Sequence, residues 1–199
     1  MRKLIIIILL LISSFFISGI KKVSIENINM SLSSNELGIV FININDNNGL
    51  LLSLNNKNIL YILKYNNYND ILNYLKPLNI NIDYIVMNND YDILGNKILY
   101  KDYLYLNNIV FNNKDYIMIN YNDISLCINP IYNNCDYVYY TDKNNYYINE
   151  NTKVFIYNDN INTDIIYDKW IDSYKISKNI YTIMKIKNNY EVIEIPKNI

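Results

Sequence analysis

What most restricts the fold of this chain is its punctuation: short apolar runs rich in Ile, Leu, Val and Tyr, each closed by a cluster of Asn and Asp. Runs of roughly four to eight β-branched and aromatic residues bounded in this way read as strands. Asn and Asp tolerate the left-handed backbone of tight turns, so they can close hairpins in a glycine-poor chain. Val23, Ile25, Ile28 and Met30 suggest a ragged first strand, and residues 37–44 a firmer, more buried one. Asn45-Asp46-Asn47-Asn48-Gly49 joins that strand to residues 50–54 as a hairpin. Residues 55–58 make a second turn before a strand at 59–63.

A helix follows, with Asn69 placed to cap it, Ile71, Leu72 and Leu75 on one face, and Pro77 to stop it. Residues 82–87 then read as a buried strand that leads into a polar loop at 88–96. Loops at the carboxyl ends of strands often carry function in layered α/β proteins. The second half repeats the β theme at 98–106, 109–111, 116–121, 124–128, 137–141 and 153–157. A second helix, capped by Asn162 or Thr163, runs through Ile165, Ile166, Lys169 and Trp170, and strands at 180–186 and 190–195 close the chain. There is no repeat of fixed period, and the Asn-rich stretches serve as turns between strands.

The amino terminus is of another kind. Arg2 and Lys3 precede an apolar run over 4–12, which resumes at Phe15, Phe16 and Ile17 before Lys21 and Lys22. A basic flank with an apolar core is the pattern of an export signal. Residues 4–20 sit at the low edge of the roughly 17 to 25 residues that a spanning helix needs. A cut after Ser18 or Gly19 leaves Phe16 or Ile17 where a small residue belongs, which favours an uncleaved anchor. Residues 1–22 are therefore expected to be a signal peptide or an N-terminal membrane anchor. Residues 23–199 are expected to form a single β-rich exported domain, facing outside the membrane or secreted.

Composition narrows the chemistry. Asn and Ile occur 39 times each and Tyr 22 times in 199 residues, Ala and Gln are absent, and Arg2 is the only arginine. A very A+T-rich coding sequence produces this bias, so any single Asn, Ile, Tyr or Lys says little about selection for chemistry. The net charge is −1, and −3 without residues 1–20, since 18 − 2 leaves 16 basic against 19 acidic residues. Lysines are scattered singly, and nothing in the balance favours nucleic acid, whose phosphates call for a basic face. The chain holds no histidine, which removes imidazole bases and histidine-dependent metal hydrolysis.

Other constellations are equally thin. A serine nucleophile is left only with lysine as its base, and Ser177 beside Lys178 reads as a chance neighbour. Four glycines make no phosphate loop, while the 19 acids leave a glycosidase-like carboxylate pair open. Cys127 and Cys135 either close a short loop containing Pro130 or pack as two small thiols, and both readings stand. The pair alone does not make a structural zinc site.

Several phrases resemble those of a known family. Phe41-Ile42-Asn43-Ile44-Asn45-Asp46-Asn47-Asn48 stands where an opening strand ends, Ile59-Leu60-Tyr61-Ile62 begins a later one, and Tyr74-Leu75-Lys76 closes the helix. Ile82-Asp83-Tyr84-Ile85-Val86-Met87 leads into Asn88-Asn89-Asp90-Tyr91-Asp92-Ile93-Leu94-Gly95. Their order resembles the metallo-β-lactamase fold, and within it the extracellular C-terminal domain of ComEC-type DNA-uptake proteins. The resemblance implies an αββα sandwich, here strand-rich and reduced in helix, with a plain all-β sandwich as the alternative. It also implies that the 88–95 stretch stands where the family holds metal, with Asn88 and Ile93 at histidine positions and only Asp90 and Asp92 as carboxylates.

On those residues the loop is vestigial, with no catalytic group, metal or cofactor expected. An Asx-rich turn that caps itself is the plain reading of Asp90 and Asp92, and a weak Ca²⁺ site the alternative. The favoured expectation is a non-catalytic exported or membrane-anchored protein with a binding or structural role and a protein or envelope partner. Exposed tyrosines, with apolar area and a polar tip, would suit recognition. The alternatives are a metal-weak hydrolase using Asp90 and Asp92, and a self-associating surface scaffold built on Ile/Tyr strands.

Overall fold

A computed structural model describes residues 32–33, 35–114, 116–131, 134–141, 151–158, 171–178 and 180–197. The expected targeting segment at 1–22, the ragged strand at 23–30 and the helix at 162–170 lie outside these residues.

The chain opens with β1 (Leu37–Ile44), β2 (Asn47–Leu54) and β3 (Lys57–Lys64), an antiparallel meander. Its turns are the residue pairs Asn45-Asp46, at φ 46° and 61°, and Asn55-Asn56, at φ 49° and 60°. Two successive left-handed residues make the tight turn whose twist matches that of paired strands. The expected wider turn at 45–49 thus contracts, and Asn47, Asn48 and Gly49 belong to β2.

Helix α1 (Tyr68–Leu75) follows, capped by Asn67 rather than Asn69. The Asn67 side chain accepts a hydrogen bond of 3.0 Å from the Asn69 N–H, and this satisfies one of the amides left open at a helix start. The buried face is Ile71, Tyr74 and Leu75, while Leu72 is 39% exposed and points away. Positions i, i+3 and i+4 share a helix face, and that spacing selects Tyr74 over Leu72. Pro77 sits inside a short 3₁₀ turn, Lys76–Leu78, which Asn79 closes in the left-handed region at φ 49°.

Next come β4 (Tyr84–Met87) and β5 (Lys97–Leu99). The single strand expected at 98–106 is two: β5 pairs with β4, and β6 (Tyr103–Leu106) joins the other sheet. Between them Tyr100 turns inward, 7% exposed, and Lys101 and Asp102 carry the chain across in solvent. The remaining strands are β7 (Ile109–Asn113), β8 (Ile117–Tyr121), β9 (Ile124–Ile128), β10 (Tyr137–Tyr140) and β11 (Val154–Asn158). They are followed by β12 (Asp172–Ile176), β13 (Ile180–Ile186) and β14 (Tyr190–Pro196). β12 has no counterpart among the expected strands because it is an edge with Asp172, Ser173 and Lys175 exposed, so it carries little apolar signal.

Among the described residues these strands make two seven-stranded mixed sheets. The first has the order β14-β13-β1-β2-β3-β4-β5, with β3, β4 and β5 parallel; the second has the order β12-β11-β10-β9-β8-β7-β6, with β9 to β12 parallel. Alternate residues of both sheets interleave to form the main core. Phe41 meets Tyr139 edge-on at 5.1 Å between ring centres, and Tyr61 meets Phe111 at 5.5 Å. A second apolar layer on the outer face of the first sheet packs Ile71, Tyr74, Leu75 and Leu78 onto Val40, Ile42, Leu60 and Ile62. Cys127 and Cys135 are joined, with Cα atoms 5.8 Å apart, among Val138, Tyr140 and Phe155 on the other side of the second sheet. The architecture is a strand-rich, helix-poor sandwich of two sheets, as expected from the sequence. It is not a plain all-β sandwich, because a helix covers part of one outer face.

Candidate functional site

The segment 88–96 leaves the carboxyl end of β4, as expected, but its side chains are committed elsewhere. Because β4 and β5 are parallel, the segment must travel back along the sheet, and it does so over the outer face that α1 also covers. Ile93 is buried there, and Tyr91 stacks on Tyr65 with ring centres 4.9 Å apart. Gly95, at φ 124°, lies so close to the sheet that a Cβ would meet Ile85 Cδ1 at 3.0 Å. Asp90 is exposed and pairs with Lys97. Asp92 is exposed too, and its main-chain carbonyl accepts a 3.2 Å hydrogen bond from the Tyr65 hydroxyl. The two carboxylates therefore face solvent, Ile93 faces hydrocarbon, and Asn88 alone remains at the sheet end.

At that end another set of side chains converges. Strand parity places Asn43, Asn48, Asn88, Thr141, Asn158 and Thr182 on the inter-sheet side, at or just past the last apolar residues of their strands. Asn43 and Asn48 are partners across β1 and β2. A register shift against β3 adjoins Asn48, and Gly49 has no room for a side chain, since a Cβ would lie 2.7 Å from the Tyr61 carbonyl oxygen. Bulges of this kind re-aim neighbouring side chains.

Asn158, fully buried, ties the sheets together. Its Nδ2 donates to Asn48 Oδ1 at 3.0 Å and to the Thr141 carbonyl at 3.3 Å, and its Oδ1 accepts from the Tyr139 hydroxyl at 2.8 Å. Asn129 extends the set, donating to Thr141 Oγ1 at 2.7 Å and accepting from the Thr141 N–H at 2.8 Å. Nearby, Asn47 accepts from the N–H groups of Asn66 and Asn67 and so fastens the approach to α1 to the first hairpin.

Asn88 adjoins a second pair of groups. The Tyr61 and Tyr100 hydroxyls bond at 2.9 Å, with the Asn88 side chain close to that of Tyr61. Burial pushes both phenols above their ordinary range, so they stay neutral and cannot serve as bases. Among the described residues, two buried polar atoms, Asn88 Oδ1 and Thr182 Oγ1, have no hydrogen-bond partner. Unpaired buried polar atoms are scarce in folded proteins and mark strain, water or function.

The donor set does not fit a catalytic metal of the kind the resemblance implies. Such a metal takes imidazoles and a carboxylate in one pocket, and among the described residues no three of His, Cys, Asp and Glu gather. Amides, phenols and threonine hydroxyls can position a neutral polar group but do not ionise near neutral pH, so they cannot activate water as a general base would. Ser177 and Lys178 sit in the short connection between β12 and β13, where the Ile180 N–H bonds to the Ser177 carbonyl at 3.3 Å. A shallow cavity of about 240 Å³, bordered by Tyr121, Asp123 and Lys187, opens at the opposite end of the sandwich.

Sequence reading reached Asn88, Asp90, Asp92 and Ile93, quoted Asn48 in the resembling phrase without giving it a site role, and missed Asn158 and Thr141. The available signal was a lone Asn in phase with the core side of an apolar strand, as Asn158 is with Val154 and Ile156. Among the described residues no helix is long and apolar enough to cross a membrane, and the expected span at 4–20 lies outside them.

No family model and no curated protein matches the chain. Among solved structures it is similar to the metallo-beta-lactamase fold protein YhfI from Bacillus subtilis, at 6% identity and a TM-score of 0.47, over 75% of this chain and 99% of that one. At that overlap the likeness is an observation about strand arrangement and nothing more.

Proposed function

We propose that the chain is a non-catalytic module, exported or membrane-anchored through its first 22 residues, whose role is binding or structural. Its domain is of metallo-β-lactamase type and resembles the extracellular C-terminal domain of ComEC-type proteins through the phrases at 41–48, 59–62, 74–76 and 82–95. One observation carries the reading. The 88–93 stretch, where that resemblance puts metal ligands, turns Asp90 and Asp92 to solvent, and at the sheet end where Asn88 remains, Asn158 bonds Asn48 across the sheets and Tyr139 and Thr141 within its own sheet. The carboxylates a hydrolase would need are outside this set, and Asp90 is engaged by Lys97.

The purified full chain is expected to carry far less than one transition metal per molecule and to leave a chromogenic phosphodiester intact. A tightly held metal together with turnover that Asp92→Ala abolishes would overturn the non-catalytic reading. Export is tested separately by fractionating the producing cells and adding protease from outside. A chain that stays protected in the cytosol sinks that part alone.

A further inference from the structure

Among the described residues the two sheets end in four edge strands, and three of them are guarded. β14 carries Glu191, Glu194 and Pro196, β12 carries Asp172 and Lys175, and β5 is only three residues long and opens with Lys97. Charges, proline and brevity are the devices by which an edge avoids pairing with another chain. β6, one residue longer than β5, carries neither charge nor proline. Its sequence is Tyr103-Leu104-Tyr105-Leu106, with Tyr103 64% and Tyr105 59% exposed.

The hairpin that contains β6 fixes which of its backbone groups are free. Asn107 and Asn108, at φ 49° and 66°, form a two-residue turn, and such turns close on a hydrogen-bonded pair, here Leu106 with Ile109. Hydrogen-bonded and non-bonded pairs alternate along an antiparallel ladder, so Leu104 also bonds inward while the N–H and C=O groups of Tyr103 and Tyr105 point outward. Leu104 and Leu106 send their side chains toward the core, which leaves the two tyrosines on the solvent face.

We propose that β6 pairs antiparallel with β6 of a second copy of this chain, about a two-fold axis through Leu104. Tyr103 of each copy then lies opposite Tyr105 of the other. In this register every outward backbone group of one strand meets its counterpart on the other, and two tyrosine pairs stack across the junction, the kind of cross-strand pair that favours sheet formation. A two-fold contact demands a surface that complements itself, and this edge does. The proposal is independent of the non-catalytic reading, because an active domain with this edge would associate in the same way.

The full chain, kept dispersed in one detergent throughout, is examined by sedimentation over about a hundredfold range of concentration. A reversible monomer–dimer equilibrium is expected, and the double variant Tyr103→Lys with Tyr105→Lys should weaken it by about tenfold or more with an unchanged circular dichroism spectrum. A monomer at every concentration, or a dimer indifferent to both lysines, overturns the proposal. Should the lysine variant fold poorly, cysteine cross-linking reads the register directly. Oxidation of a mixture of Tyr103→Cys and Tyr105→Cys chains should yield linked dimers, since directly opposed residues fall within disulfide reach. Each variant alone should yield far fewer. Equal linking in all three samples, or none in the mixture, refutes the register.

Discussion

The two ends of the sandwich solve the same problem with different chemistry. At the amino ends of the parallel strands, the loops are tied by charge: Lys57 pairs with Asp83 at 2.8 Å and Lys153 with Asp136 at 2.9 Å, all partly open to water. At the carboxyl ends, where functional groups most often gather in layered α/β proteins, the ties are neutral and buried, centred on Asn158. Solvent screens an exposed ion pair and makes it worth little, whereas a buried amide stripped of its partners keeps the full cost of desolvation. The end lacking charge should therefore be the one that matters more for stability.

The largest test of that contrast sets Asn158→Leu against Asp136→Asn. The first strands the Asn48 Oδ1, the Thr141 carbonyl and the Tyr139 hydroxyl in the core and should cost roughly 3 to 5 kcal/mol in chemical denaturation. The second disturbs an exposed pair and should cost about 1 kcal/mol or less. A reversed order would break the comparison. The double variant Asn48→Leu with Asn158→Leu sharpens it: if the pair replaced together proves nearly neutral, the amides are not there for stability.

Joining Cys127 to Cys135 constrains the unfolded chain, so Cys127→Ser with Cys135→Ser should lower stability by about 2 to 3 kcal/mol. Because that link lies outside the inter-sheet core, the cost should add to that of Asn158→Leu without coupling. Asn67→Ala removes the cap of α1, close to the Asn47 junction, and should cost about 1 kcal/mol.

The smallest effect belongs to pH and to the charged end. The Lys57 side chain and the Asn58 N–H both donate to Asp83 and hold its carboxyl below the ordinary carboxylate range. A carboxyl lowered on folding contributes stability above its unfolded value, about 4, and loses it as pH falls through the folded value. The melting temperature should therefore decline on acidification below about pH 4, and Asp83→Asn should flatten part of that decline. The groups bonded to Asn158 are an amide, a phenol and a carbonyl, none of which titrates there, so Asn158→Leu should leave the slope unchanged.

Much of the strand order was readable because its signals are local. Asn doublets between apolar runs fix the hairpins, and β1 and β13 appear at the very residues expected. Where the reading failed, the deciding information lay elsewhere in the chain. Nothing near Tyr100 reveals that β5 and β6 belong to different sheets, since the switch depends on Tyr100 finding Tyr61 in the core. The polar end was hidden for the same reason: Asn48 and Asn158 are 110 residues apart and meet only once both sheets are paired. The loop after β4 was correctly placed in the chain. Its direction was set by Tyr91 and Ile93, whose burial on the outer face leaves Asp90 and Asp92 in water.

Among the described residues, ten other than glycine hold a left-handed backbone, nine of them asparagines and the tenth Asp46. Only four glycines occur in 199 residues, so the corners that many proteins entrust to glycine are made here with a side-chain amide. Asparagine enters that conformation at lower cost than most residues, because its short side chain can bond to the nearby main chain. A lineage whose coding drifts toward asparagine can thus shed glycine without unlearning its hairpins, and the nucleotide bias recorded in this chain becomes a permissive condition for its architecture.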